Sequence, residues 1–465
     1  MKKAIEYFEQ HYNRFVSDLL EFLCFDSVSS DPERASRVVD CADWLANHLR
    51  SVGIKEVEVY PTGGHPIIFA QHPGPVDSPT VLIYGHYDVM HEDPIALWES
   101  APFEPKIRDG AIFARGAADD KGQLFLYVKA VESILNTYDS LPIQIKMIFE
   151  GEEEVSHENL ASFLRANSEK LACDVIVISD TAMIQQQTPT ITYGLRGLTC
   201  MQVELQAAAS DLHSGAYGGI VANPANEIAA IIASMKDANN HITIKGFYDD
   251  VLELTEEEKT MFNHIPHDDK QFIESLGVSQ LWGEEGYSTL ERKWARPTLD
   301  VNGIWAGFSG KGAKTVLPCK AGAKVSMRLV PNQEPGKIAE LFERHVRLLA
   351  PPSVRVEIHK LKLASKPFLC PLNNPYFRSA SKALRRCFGK EPIFVRDGVS
   401  MPFVADFAEI LSVPILLIGY SVPNDHAHAP NEFFLLENFF SGIQSSIYLF
   451  NEIANQDFPK TLTML

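Results

Sequence analysis

The 465-residue chain predicts an α/β domain whose mainly parallel sheet lies between helices and is interrupted by an α+β insert. Three observations predict it. Continuous apolar runs (VLIY at 81–84, IQIKMIF at 143–149, DVIVIS at 174–179 and ILLIG at 415–419) read as strands buried on both faces. Helical patterns alternate with those runs, which is the signature of a parallel sheet covered by helices. Between residues 197 and 365 the texture changes to alternating apolar and polar residues, as in strands with one wet face.

Taken in order, residues 5–24 carry Ile5, Phe8, Tyr12, Phe15, Leu19 and Phe22 at helical spacing. Asp31-Pro32 opens a second helix, with Asp as cap and Pro in the first turn. Val57–Tyr60, Ile67–Ala70 and VLIY are strands, and Gln123–Leu135 is a helix dense in apolar residues. In the insert, Thr199–Leu205 and Lys324–Leu329 alternate, Asn223-Pro224 caps a helix reaching Met235, and Gly336–Leu349 is amphipathic. The segment 248–293 is acidic and irregularly helical, and receives no chemical role. Asn374–Cys387 is helical, and Asn431–Ile453 is a closing helix. The expected division is a discontinuous domain of residues 1–196 and 366–465 around an insert of residues 197–365, which suits a chain too long for one core.

Composition narrows the function. A net charge of -18 argues against a nucleic-acid or anionic-membrane surface. The 7 Cys include no C-x-x-C pair, so reduced thiols and a cytoplasmic location are expected rather than a disulfide framework or thiolate zinc site. The N-terminal stretch lacks the apolar core of a secretion signal, and no apolar run is long enough to span a membrane.

Ligands of open α/β sheets bind beyond the carboxyl ends of the strands. After VLIY come His86 and Asp88. The turn-rich segment RDGAIFARGAADDKG supplies Asp119 and Asp120, and IQIKMIF runs into Glu150-Gly151-Glu152-Glu153-Glu154. DVIVIS is followed by Asp180, and ILLIG by His428 in NDHAHAPNE. Imidazole with carboxylate suits zinc, manganese or cobalt. The set exceeds one tetrahedral zinc and matches a two-metal site with a bridging carboxylate, leaving a further carboxylate to move protons. Singly, each has a plainer reading: His86 as a core histidine, the Glu run as a solvated helix start, Asp119-Asp120 as a turn, Asp180 as a cap. His91, His157 and His426 fit the strand-end pattern less well and are read as surface or structural. The joint occurrence, in this order, carries the metal reading.

The succession H-x-D, R-G-x-x-D-D-K-G, E-G-x-E-E, an Asp after a strand, and H-x-x-N-E resembles the co-catalytic zinc amidohydrolase family of carnosinases, glutamate carboxypeptidase, acetylornithine deacetylase and aminoacylase, over nearly the whole chain. The resemblance implies that His86 and Asp180 bind one divalent ion, that Glu154 and His428 bind another, and that Asp119 bridges them. Zinc is the first choice, with manganese or cobalt as alternatives. It implies Glu153 as general base and acid, and Asp88 as the group bonded to His86 that fixes its tautomer. Glu152 would point outward; the competing register makes Glu152 the base and Glu153 the ligand. The family also implies a cis peptide between Asp119 and Asp120.

The insert resembles the family's lid and dimerisation domain. SDLHSGAYGG (210–219) implies that His213 reaches the active site of a partner subunit in a homodimer and stabilises the oxyanion. GAKTVLP (312–318) implies Thr315 as a substrate contact, with Asn302 a further candidate. Arg328 in SMRLVPN offers a fork for a substrate carboxylate, a salt bridge being its alternative. FVRDGVSMP (394–402) resembles a substrate loop that would contribute Gly398 and Ser400, with Val399 where the family has glycine. Chain length, DLHSGAYGG, and GAKTVLP taken with RLVPN point to the carnosinase-like dipeptidase branch: a metallopeptidase that cleaves dipeptides with a free carboxylate. The rivals are an N-acyl amino acid deacylase using the same machinery and a catalytically inactive binding protein on this fold.

Overall fold

The computed structural model describes residues 1–155 and 158–456. His157 lies outside the described residues. Two compact units are formed: Met1–Tyr193 with Cys370–Val395 and Asp406–Leu465, and Gly194–Leu369 with Arg396–Ala405.

The sheet of the first unit runs in the order Glu56–Tyr60, Ile67–His72, Gln144–Glu150, Thr80–His86, Val175–Ile178, Ile415–Gly419, Thr190–Leu195. Its central pairings, from Gln144–Glu150 through Thr80–His86 and Val175–Ile178 to Ile415–Gly419, are parallel. The flanking pairings are antiparallel. The parallel strands are the continuous apolar runs, and every residue of Val175–Ile178 and Ile415–Gly419 is buried. That is why these runs show no alternation. Helix Lys121–Leu135 is buried along almost its whole length.

Two helices differ from expectation. The periodic stretch 5–24 divides into Lys2–Gln10 and Tyr12–Leu23, because His11 leaves helical geometry at ψ 13°. Its Nδ1 lies 2.8 Å from the Tyr7 carbonyl. The closing helix is Leu436–Ala454 and starts later than Asn431. Asn431 has a left-handed φ of 63°, and Phe433–Leu435 is spent pairing with strand Ala111–Phe113.

The second unit holds an antiparallel sheet in the order Thr298–Ala306, Lys320–Leu329, Gly197–Gln206, Arg355–Ser365. One face packs Met201, Val203, Val325, Met327 and Leu329 against Ile228 and Ile231 of helix Pro224–Ser234 and Phe342 of helix Pro335–Leu349. The other face is polar, which accounts for the alternation read in the sequence. The acidic segment contains helices Glu256–His264, Asp269–Leu276 and Thr289–Trp294. The first is closed by a capping box in which Thr255 and Glu258 satisfy each other's backbone N–H groups.

Residues 396–405, assigned by sequence to the α/β domain, belong to the second unit. The reason is a set of polar contacts from that unit. Buried Arg396 pairs with Glu258, Arg196 Nε donates to the Gly398 carbonyl at 3.1 Å, and Arg328 Nη1 donates to Ser400 Oγ at 2.7 Å.

Candidate metal centre

Strand register assembles the centre. His86 stands beside Glu150 on one parallel neighbour, and Tyr84 beside Ile178 on the other, so the chain after each strand emerges at one edge. Gly85 makes room there. A Cβ on it would lie 2.6 Å from Leu124 Cβ and 2.8 Å from Asp120 Oδ2, so any side chain would displace the start of helix Lys121–Leu135.

Asp119 occupies the middle. Its Oδ1 lies 3.0 Å from His86 Nε2, and its Oδ2 lies 2.8 Å from His428 Nε2. His428 Nε2 is also 3.2 Å from Glu154 Oε2. Ligand atoms of His86, Asp119 and Asp180 fall within 4.8 Å of one another, as do those of Asp119, Glu154 and His428. Two triads therefore share one carboxylate. Among the three consecutive glutamates it is Glu154 that enters a triad. Glu152 is half-buried rather than solvated and accepts a hydrogen bond from Asn159 Nδ2 at 2.7 Å. The peptide between Asp119 and Asp120 is cis.

The charges are those of a cation site. Burial raises the proton affinity of Glu153 well above the carboxylate range, and the charges of Asp180 and Glu154 add to it. Burial and the charge of Asp119 bring Asp180 up to about 7. Asp119 moves the other way: burial opposes its ionisation, but its contacts to His428 and His86 hold its pKa low. Hydrogen bonds to Asp119 and Glu154 raise His428 to about 11. Glu154 Oε1 and Asp120 Oδ1 are buried without a hydrogen-bond partner among the described residues. Crowded carboxylates, an orphan ligand oxygen and imidazoles on a shared Asp fit divalent metal of the zinc, manganese or cobalt type.

A third acidic cluster, Asp18, His48 and Glu132, has similar spacing but holds its own cation. Lys129 Nζ donates to Asp18 Oδ2 at 2.6 Å, to Glu132 Oε2 at 2.8 Å and to His48 Nε2 at 2.8 Å. All three protons of the ammonium are used, and no metal is required.

Two carboxylates brace the centre from behind. Asp88 accepts the backbone N–H groups of Glu153 and Glu154, each at 3.2 Å, and the Ser29 hydroxyl at 2.6 Å. His86 Nδ1 lies 3.1 Å from the Asp88 carbonyl and 3.4 Å from its carboxylate. Asp88 therefore positions the glutamate loop as well as the imidazole. Glu432, given no role from sequence, accepts N–H groups of Gly116 and Ala118 at 2.9 Å and of Asp119 at 3.1 Å, and pairs with buried Arg115 at 2.6 Å. Its place in H-x-x-N-E was the available signal. Ser29, far away in the chain, gave none. His91 and His426 stay outside both triads: the His91 carbonyl accepts from Arg115, and the His426 ring packs on Phe433.

The other candidates lie in the second unit. His213 and Thr315 are adjacent: His213 pairs with Val316 in a short ladder, and Thr315 Oγ1 is 3.5 Å from His213 Nε2. His213 is exposed, and its Nδ1 accepts the Gly215 N–H at 3.0 Å. Arg328 meets Ser400, and Gly398 meets Arg196. Asn302 is exposed at the register shift between Val301 and Gly303, a bulge that turns its side chain out of the alternation.

A sequence profile described as Peptidase family M20/M25/M40 matches residues 82–451. The chain is 32% identical to the Cys-Gly metallodipeptidase dug1 of Schizosaccharomyces pombe, over 98% of each chain. It is 30% identical to the Beta-Ala-His dipeptidase of Homo sapiens, over 98% of this chain and 93% of that one. The crystal structure of an M20 family metallo-carboxypeptidase, Sso-CP2 from Sulfolobus solfataricus, superposes with a TM-score of 0.82 at 30% identity, over 95% of this chain and 99% of that one.

Proposed function

The chain belongs to peptidase family M20/M25/M40, and from that premise we propose that it is a metallodipeptidase that hydrolyses the amide bond of dipeptides carrying a free C-terminal carboxylate. The observation that carries this reading is the placement of Asp119 between two imidazoles, one on each oxygen. The names of the relatives, a Cys-Gly and a Beta-Ala-His dipeptidase, support the substrate class.

His86 and Asp180 would hold one divalent cation, Glu154 and His428 would hold a second, and Asp119 would serve both. Zinc is the first choice, and manganese and cobalt suit the same donors. Bound there, the cations supply Lewis-acid polarisation of the scissile carbonyl and acidify the attacking water. Glu153 takes the proton of that water and passes it to the leaving amine. Asp88 fixes where Glu153 stands, because it holds the backbone N–H of Glu153 itself. Arg328 takes the terminal carboxylate with its planar fork. Thr315, Ser400, Gly398 and Asn302 line the substrate.

The working unit is a homodimer in the cytoplasm, with His213 of a second copy donating to the oxyanion. The edge strand Thr298–Ala306 supports this. It exposes Val301, Ile304 and Trp305, with Phe308 just beyond, and such an edge invites a partner.

The test is metal content together with hydrolysis of a small dipeptide panel, before and after chelation. Cleavage of the panel that is lost with the metal and regained on adding zinc, manganese or cobalt is the expected result. Cleavage of N-acetyl amino acids alone would replace the reading with a deacylase. No amine released from either class, with metal supplied, would replace it with a binding protein.

A further inference from the structure

A cavity of about 790 Å³ opens within the second unit, and its wall has an unbalanced charge. Two of its cations are neutralised: Arg296 by Glu284 and Glu253, and Lys236 by Asp300 at 3.6 Å. Arg196, Arg292, Lys293 and Arg328 also line it. The hydrogen bonds of these other three arginines go to neutral oxygens: Arg328 to the Ser400 hydroxyl, Arg196 to the Gly398 carbonyl, and Arg292 to the Glu284 carbonyl at 2.8 Å. Arg196 Nη1 is buried without a hydrogen-bond partner among the described residues. Arg196 and Arg328 bond to the same short loop, at Gly398 and Ser400, so the two guanidiniums share one part of the wall.

This excess of positive charge stands in a chain of net charge -18, so no general basic surface accounts for it. Burial, followed by the charge of Arg328, lowers Arg196 to about 10, and the more weakly felt carboxylates of Asp397 and Asp300 offset this only in part. An anion between the two arginines relieves that repulsion. Guanidinium forks suit carboxylate oxygens, and Trp282 and Leu276 on the wall suit the carbon chain that carries them.

We propose that this cavity recognises a second carboxylate, with Arg328 on the terminal carboxylate and Arg196 on an acidic side chain, so that dipeptides ending in Asp or Glu are preferred. The proposal rests on the metallodipeptidase reading and names its substrate class. Lys293, exposed on the wall, adds long-range attraction.

The test compares kcat/KM for Ala-Glu, Ala-Gln and Ala-Lys with the full-length, zinc-loaded enzyme. Ala-Glu and Ala-Gln differ in one carboxylate at nearly equal volume. The expected result is a preference for Ala-Glu over Ala-Gln of about tenfold or more, carried mainly by KM, with Ala-Lys poorest. Arg196→Gln brings the Ala-Glu to Ala-Gln ratio towards one. Lys293→Ala, at an exposed position, lowers the ratio about threefold and serves where Arg196→Gln fails to fold. A wild-type ratio at or below one, or a ratio that neither variant moves, overturns the proposal. Should the wild type cleave no dipeptide at all, the metallodipeptidase reading fails instead. Calorimetry with Ala-Glu and Ala-Gln then decides the cavity: about tenfold tighter binding of Ala-Glu upholds it, and equal affinity refutes it.

Discussion

The side-chain carboxylate of Glu432 accepts the backbone N–H of Asp119 at 3.1 Å, across more than 300 residues of chain. The loop that carries His428 thus fixes the segment that carries the carboxylate shared by both triads. Glu432→Ala removes this brace and leaves Arg115 buried beside no partner charge, a change that typically costs about 3–5 kcal/mol. The expected outcome is a large drop in thermal unfolding temperature. Glu432→Gln keeps the volume and one acceptor oxygen. It should fold, yet bind zinc about tenfold or more weakly in a chelator competition. Unchanged zinc affinity in Glu432→Gln would mean that the brace is only structural.

Glu153 and Glu154 are neighbours in the chain but differ in place, since only Glu154 joins a metal triad. Glu153→Gln should retain its metal and lose roughly 10²–10⁴-fold in kcat. Glu154→Gln should lose metal, read by elemental analysis after dialysis. The opposite pattern would exchange their roles.

Asp88 saturates its carboxylate with the N–H groups of Glu153 and Glu154 and the Ser29 hydroxyl. Asp88→Ala should lower kcat on the order of 10²-fold by letting the glutamate loop shift. Ser29→Ala removes one bond of the set and should act in the same direction with a smaller effect. Ser29→Ala kinetics equal to wild type would assign that hydroxyl no part in positioning.

The Lys129 cluster sets a pH dependence of stability that does not involve the metal centre. Burial, then the charge of Lys129, lowers His48 from 6.5 to about 4. Its Nε2 accepts a hydrogen bond from the Lys129 ammonium and so cannot also carry a proton. Between those pH values the unfolded chain binds the proton that folded His48 refuses. Stability from this group is therefore full above about pH 6.5 and falls as the pH drops towards 4, by an amount on the order of 3 kcal/mol. Urea unfolding across that range should show the slope, and His48→Gln should flatten it. An unchanged slope in the variant would assign the effect to other groups.

Four residues of the candidate metal centre, His86, Glu154, Asp180 and His428, were legible in the sequence because each comes after a buried apolar run, whereas Asp119 stands in a turn-rich segment and was legible through its motif. A strand buried on both faces has a nearly continuous apolar signature, and parallel neighbours deliver their ends to one edge. The alternating strands of the second unit were legible for the complementary reason, one apolar face and one wet. The break at His11 was not legible, because a one-residue departure from helical ψ leaves the apolar spacing on either side intact.

What the sequence determined by itself was the inventory and its order: His86, Asp119, a run of glutamates, Asp180 and His428, on an α/β frame. What only the tertiary structure decided was pairing in space. It distinguished Glu154 from Glu152 and Glu153, since identical side chains on consecutive residues differ only in where the turn aims them. It revealed the braces from Asp88 and Glu432, whose partners are backbone N–H groups and leave no mark on composition. It moved Gly398 and Ser400 into the second unit, and it exposed the unpaired charge of Arg196, because whether a charge has a partner depends on distance between atoms rather than on position in the chain.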